Sequence, residues 1–247
     1  MARSGTDIAR PGDNLYKEII AMPHFLNLMF ILILLTSRSV LAESEQENLV
    51  ALADEVLIDI LTIPERSIPP SLLSQAQAIA IIPEVMKVGL VVGGRYGEGV
   101  IMMKNRNTHA WSDPVFLTLK GGSLGFQIGA QSTDVILVFK NKRGLNSLIT
   151  GKFTLGVDAA VAAGPVGRNA AAATDVKLQA EILSYSRSRG LFAGISLDGT
   201  SLVIDHAANA TFYAKKEVTP RQIFNGEMKP QAATQPLKNS LREHAKQ

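Results

Sequence analysis

Cysteine is absent from the 247 residues. That excludes a disulfide scaffold, a thiol nucleophile, Cys-ligated zinc or iron–sulfur, and the acylated N-terminal cysteine of a bacterial lipoprotein. Histidine is sparse: beyond the first segment only His109, His206 and His244 occur, far apart and without an i, i+4 partner, so no metal-binding cluster is expected. Phosphate loops are missing too. Gly151-Lys152 lacks an upstream glycine and is followed by Phe153, and Gly94-Arg-Tyr-Gly97-Glu-Gly99 runs into the strand-like Val100–Met103 instead of opening a helix. No cofactor is expected. Charged residues make up only 19%, below the roughly 25% of ordinary soluble domains, against 46% hydrophobic residues. A disordered chain is thereby excluded, and the length fits one domain or two small ones.

What the chain does have begins with Phe25–Leu35, an apolar run interrupted only by Asn27, leading through Thr36-Ser37-Arg38-Ser39 to Val40-Leu41-Ala42 and acidic Glu43. The run is shorter than the roughly 20 residues of a spanning helix, and Val40-x-Ala42 has the small-residue form of a cleavage site. Residues 1–42 therefore read as a secretory signal with an extended leader, cut after Ala42, and an uncleaved signal anchor is the other reading. Export to the periplasm or cell envelope follows from either. Past this segment the charge is lopsided. Seven acids (Glu43, Glu45, Glu47, Asp54, Glu55, Asp59, Glu65) precede Arg66, and beyond Glu65 there are 21 basic and 12 acidic side chains. A basic body suits anionic lipid, nucleic acid or the chain's own acidic helix, and export counts against nucleic acid.

Leu49, Leu52, Ala53, Val56, Ile60 and Ile63 recur at helical spacing up to Pro64, and Pro69-Pro70-Ser71 opens a second short helix through about Gln77. After these the pattern changes to short apolar or alternating runs: 78–82, 89–92, 100–103, 115–119, 124–130, 135–139, 153–157, 191–197 and 202–204, separated by Gly, Pro, Asn or Asp. The gaps are too short for crossover helices, so the strands should be largely antiparallel, and Asp198-Gly199 is a hairpin signal. The fold class is α+β, N-terminal helices packed on a mostly antiparallel, strongly curved sheet, barrel- or sandwich-like. Thr219-Pro220 caps a short helix ending near Asn225-Gly226. Residues 227–247, polar and nearly devoid of apolar content, read as a mobile tail after a domain spanning 43–226. Glycine inside strands costs stability unless another backbone, a tight bend or a ligand comes close.

Gly121-Gly122-Ser123-Leu124-Gly125 matches the G-x-S-x-G pattern of a hydrolase nucleophile elbow. That elbow needs a helix after its serine, whereas residues 124–130 alternate with a strand period, and neither His109 nor His206 is marked as a base. No catalytic residue is assigned, and a serine hydrolase using Ser123 is a distant alternative.

Ala76-Gln-Ala-Ile-Ala-Ile-Ile-Pro83, Gly93-Gly-Arg-Tyr-Gly-Glu-Gly-Val100, Trp111-Ser-Asp-Pro-Val-Phe116, Gly122-Ser-Leu-Gly125, Gly164-Pro-Val-Gly-Arg168, Ser184-Tyr-Ser186, Gly190-Leu-Phe-Ala-Gly194 and Asn209-Ala-Thr-Phe-Tyr213 follow one another in an order that resembles the SYLF lipid-binding domain family, from about Leu49 to Phe224. The resemblance implies a non-enzymatic domain associated with phospholipid membranes, including phosphoinositides. Fungal relatives also bind actin, and bacterial ones are exported, often lipidated, envelope proteins. The leader counts against actin as a partner of this chain, since export separates it from a cytoskeleton.

Candidate headgroup contacts are cations at expected strand ends and turns: Arg95, with Lys104 and Arg106 nearby; Lys140, Lys142 and Arg143; Arg187 and Arg189; and Lys215 and Lys216. Anionic lipid attracts such groups by about 1 kcal/mol each near a surface, if they share a face. Arg168 follows a close-approach turn in which Gly164 and Gly167 flank Pro165 and Val166. It either grips a phosphate with its bidentate fork or pairs internally with Asp113, Asp158 or Asp175. The function expected is phospholipid binding in the cell envelope, with a structural or protein-interaction module lacking a small ligand as the alternative.

Overall fold

In the computed structural model, residues 44–63, 67–89, 92–124, 129–151, 153–166, 179–188, 191–192 and 197–245 are described. The expected signal, 1–42, lies outside them, as do Gly167, Arg168 and Arg189.

Helix α1 (Glu45–Leu61) starts in a capping box. The Ser44 hydroxyl accepts the Glu47 N–H at 3.1 Å, and the Glu47 carboxylate accepts the Ser44 N–H at 3.0 Å. Glu45 and Glu47 also place negative charge at the positive end of the helix dipole. Val50, Ala53, Val56, Leu57 and Ile60 form its buried stripe. Helix α2 (Pro70–Gln75) follows, with proline in its first turn, where a missing N–H costs nothing.

The sheet comprises β1 (Ala78–Gly89), β2 (Val92–Met103), β3 (Val115–Leu124), β4 (Gly129–Phe139), β5 (Phe153–Thr154), β6 (Val161–Ala163), β7 (Ile182–Ser188), β8 (Leu191–Phe192) and β9 (Ser201–Ile204). Their order is β5-β9-β3-β2-β1-β4-β7-β6, with β8 on β7. Every pairing is antiparallel except β6 with β7. The α+β class with a curved, mostly antiparallel sheet is therefore what the strand pattern predicted. Ala78–Ile82 and Val135–Phe139 are buried at every position, so both faces of the sheet are covered at its centre.

Pro83 does not end β1. The ladders to β2 and β4 each shift by one residue around it, between Ile81 and Met86 and between Ile82 and Val85 respectively, a bulge that absorbs the proline. Glu84 there has φ 48°, and its N–H donates to the Asp134 carboxylate at 3.0 Å. Opposite the bulge, β2 comes so close that a Cβ on Gly99 would meet the Ile81 carbonyl and lie 2.8 Å from Ile82 Cα. The strand glycines at this point answer to a neighbouring backbone.

Strands β6 and β7 were not anticipated, nor were helices α3 (Lys142–Thr150), α4 (His206–Phe212) and, after α5 (Pro220–Phe224), a C-terminal helix α6 (Gln235–His244). Helix α6 corrects the mobile-tail expectation: Leu237 and Leu241, one turn apart, are fully buried, and the helix packs on α1 and α2. Asp198-Gly199 does form a turn, with Gly199 at φ 73°, but β9 after it pairs with β3 and β5.

The Asn209–Tyr213 motif pins α4 to the start of β3. Asn209 Oδ1 accepts the Phe116 N–H at 3.0 Å, its Nδ2 donates to the Phe116 carbonyl at 3.2 Å, and the Tyr213 hydroxyl donates to the Pro114 carbonyl at 2.6 Å. The amide thus completes β3 where no further strand pairs with it.

Candidate functional site

The cations singled out in the sequence do not converge. Arg95 pairs in register with Lys87, and Lys87 with Gln131, near one end of β4, whereas Lys140 follows Phe139 at the other. Nine residues along the strand separate those levels, about 30 Å. Arg95 is half-buried, its guanidinium 3.5 Å from the Thr200 hydroxyl, and burial lowers its pKa from the ordinary arginine value. Lys142 and Arg143 begin α3 behind the Asn141 N-cap, and Arg143 lies 3.6 Å from Glu181. Arg187 stands between Asp59 of α1, at 2.5 Å, and Asp134 of β4, at 3.6 Å, tying helix to sheet.

The turn before Arg168 has an internal reason for its glycine. A Cβ on Gly164 would collide with the Tyr185 ring, 2.5 Å from the hydroxyl oxygen, and that hydroxyl donates to the Pro165 carbonyl at 3.1 Å. Of the aspartates proposed to pair with Arg168, Asp113 accepts Lys238 Nζ at 2.5 Å and the Thr234 hydroxyl at 3.2 Å. Asp158 accepts the Thr154 N–H at 2.6 Å, and Asp175 lies outside the described residues. Ser123 belongs to the β3 ladder, opposite Gly93, so the strand-turn-helix of a nucleophile elbow is not formed at that residue. His206 follows Ile204, whose partner is Leu117, six residues along β3 from Ser123 and hence about 20 Å away.

A different place gathers cations. At the end of β2 the chain turns back tightly: Asn105 Oδ1 accepts the N–H groups of Asn107 and Thr108, His109 takes φ 57°, and Lys104 bridges to Trp111. This turn, the end of α2 and one side of α6 enclose an open recess of about 630 Å³. Its wall carries Lys104, His109, Lys238 and Arg242, with Trp111, Ala110 and Ala245 as apolar surface and no carboxylate among the described residues. Lys104 is only 8% exposed; its Nζ donates to the Ser74 carbonyl at 2.8 Å and lies 5.5 Å from the Trp111 ring centre. Desolvation lowers its pKa from the usual lysine value. The Trp111 indole N–H, the only one in the chain, has no hydrogen-bond partner among the described residues. A buried donor left so costs about 1–3 kcal/mol. Lys104 was visible in the sequence as one cation among many. The other half of the recess was hidden in the supposed tail, where Lys238 and Arg242 share the one-turn spacing of Leu237 and Leu241.

The family model described as Ysc84, Las17-binding protein actin regulator, matches residues 120–244, from the second half of β3 through α6. The chain belongs to the Ysc84 family. It is 34% identical over 184 residues to LAS seventeen-binding protein 3 of Saccharomyces cerevisiae, covering 73% of this chain and 39% of that protein. To SH3 domain-containing YSC84-like protein 1 of Xenopus laevis it is 33% identical over 166 residues, 67% of this chain and 49% of the relative. A Schizosaccharomyces pombe protein, SH3 domain-containing protein PJ696.02, is 36% identical over 173 residues. The chain thus spans half or less of these relatives' lengths. The family resemblance read from the motifs is shown. The exclusion of actin is corrected: it rested on residues 1–42, outside the described structure, while the folded domain belongs to a family described as an actin regulator.

Proposed function

We propose that this domain of the Ysc84 family is a non-catalytic binding module that attaches to anionic phospholipid surfaces, delivered to the cell envelope by its leader. The observation that supports this most is the recess walled by Lys104, His109, Arg242 and the Asp113-paired Lys238, with no carboxylate lining it among the described residues, on a body with 21 basic against 12 acidic side chains past Glu65. Such a surface attracts anionic headgroups, and the attraction between exposed charges weakens as salt shortens the Debye length from about 10 Å at 0.1 M to about 3 Å at 1 M. Co-sedimentation should favour phosphatidylglycerol vesicles over phosphatidylcholine vesicles and decline with salt. Equal, salt-insensitive binding to both refutes the reading. N-terminal sequencing of protein from the envelope fraction should begin at Glu43, and a full-length cytoplasmic product refutes export.

A second reading is favoured by the family's description. The domain takes part in an actin-regulatory assembly, as the family name and the Las17-binding relatives state for themselves. Co-pelleting with filamentous actin, with and without anionic vesicles, tests it. Absence of the protein from the actin pellet under both conditions refutes direct actin binding.

A further inference from the structure

Lys104 donates to two backbone carbonyls, of Ser74 and Leu73, and an ammonium carries three protons. Trp111, 7% exposed, presents its ring to the recess while its indole N–H is buried, without an acceptor among the described residues. Arg242, exposed on α6, commits one N–H to Asn239 Oδ1 at 2.9 Å and has four more. Lys238 is already matched by Asp113. Lys104, just past β2, and Arg242 on α6 therefore have protons to give to the recess, and no acidic side chain lines it among the described residues. Beside these donors lie the Trp111 ring and the methyl groups of Ala110 and Ala245. A volume of about 630 Å³ falls within the roughly 300–1,000 Å³ of small-molecule sites.

We infer that the recess binds one molecule of an anionic amphiphile, its phosphate head against Lys104 and Arg242 and its apolar part over Trp111 and Ala110. Lys104 and Arg242 approach from two elements and suit an oxyanion, whose oxygens accept hydrogen bonds from several directions. The inference rests on the reading of the chain as an anionic-lipid module and narrows it from surface attraction to a stoichiometric site. Because Lys104 and Trp111 are buried, the bound state should resist salt more than vesicle adhesion does.

Trp111 is the chain's only tryptophan, so its emission reports directly on the recess. Titration of the full chain with octyl phosphate, below its micelle concentration, should give a saturable one-site change. Octanol and inorganic phosphate should each bind about tenfold more weakly or worse, since each lacks one half of the ligand. Arg242→Ala should weaken octyl phosphate about tenfold with an unchanged melting temperature, the equivalent of one charge-assisted hydrogen bond. Lys104→Met should do the same, and if it does not fold, Arg242→Ala carries the comparison. No saturable change in the unaltered protein, unaltered affinity in Arg242→Ala, or inorganic phosphate binding as tightly as octyl phosphate overturns the inference. Vesicle co-sedimentation of the same samples separates the two proposals. Vesicle binding without octyl phosphate binding sinks the recess and spares the module, and the converse result sinks membrane attachment and spares the recess.

Discussion

Leu241→Ala asks whether the polar C-terminal segment is part of the fold. Leu241 has no exposed surface and lies one turn from Leu237, also fully buried, on the side of α6 that packs on α1. The substitution removes three carbon atoms from the core, about 2.4 kcal/mol at roughly 0.8 kcal/mol per carbon, and leaves a cavity that raises the loss to about 3 kcal/mol. For a domain of this size each kcal/mol lowers the melting temperature by about 2–4 °C, so a fall of about 6–12 °C is expected by differential scanning calorimetry. The recess should loosen with it, because Lys238 and Arg242 project from the same helix. A composition-based tail would give a change within about 0.5 kcal/mol, as surface substitutions do. A melting temperature within 2 °C of the parent would therefore refute the packing of α6.

Gly99→Ala should cost about 2–3 kcal/mol in urea denaturation, because the added methyl meets the β1 backbone at Ile81 and Ile82 as well as the Ile82 side chain; a neutral result would contradict the close approach at the bulge. Arg187→Ala removes the cation between Asp59 and Asp134 and should lower stability by about 1–2 kcal/mol, discounted because Asp59 is half exposed. An unchanged urea midpoint would show that the pair contributes nothing. Alkaline pH should destabilise the fold. Tyr96, whose hydroxyl donates to the Glu98 carboxylate, has its pKa pushed up to about 12, and burial pushes Tyr185 and Tyr213 upward as well. Each holds its proton more tightly folded than unfolded, so their contribution is complete below pH 10 and is lost as pH rises above it. Urea midpoints at pH 9 and 11.5 measure this, and a midpoint that stays level or rises contradicts it.

Helix α1 and the central strands could be read directly, because their apolar residues recur at the helical period or in unbroken buried runs. Strand β7 could not: Ser184 and Ser186 are buried inside it, so the alternation that betrays a strand is blurred, and the Ser184 hydroxyl bonds to the Ala162 carbonyl instead. Helix α3 hid behind Lys142-Arg143-Gly144, three residues that carry no apolar signal, although Asn141 caps it through its side chain. Helix α6 displays only Leu237 and Leu241 in ten residues, a stripe too thin to outweigh its polar composition. The recess was out of reach for a different reason. Its two halves, near residues 104–111 and 235–245, are distant along the chain, and no local pattern announces that they meet. The expected cation cluster failed on the same ground, since strand register set Arg95 and Lys140 at opposite ends of β4.

The order of strands has a kinetic consequence. Strands β3-β2-β1 join neighbours in sequence, and β1 with β4 and β4 with β7 close spans of similar length, from Ala78 to Phe139 and from Asp134 to Arg187, whereas β9 reaches β3 across a longer stretch that sets Leu117 beside Ile204. Loop closure over such spans is entropically slow. Strands β3, β2, β1, β4 and β7 should therefore assemble first and wait, with the outer edge of β3 unpaired, until β9 arrives. During that interval a second chain can supply the missing strand, so refolding yield should fall as protein concentration rises, well before native stability changes.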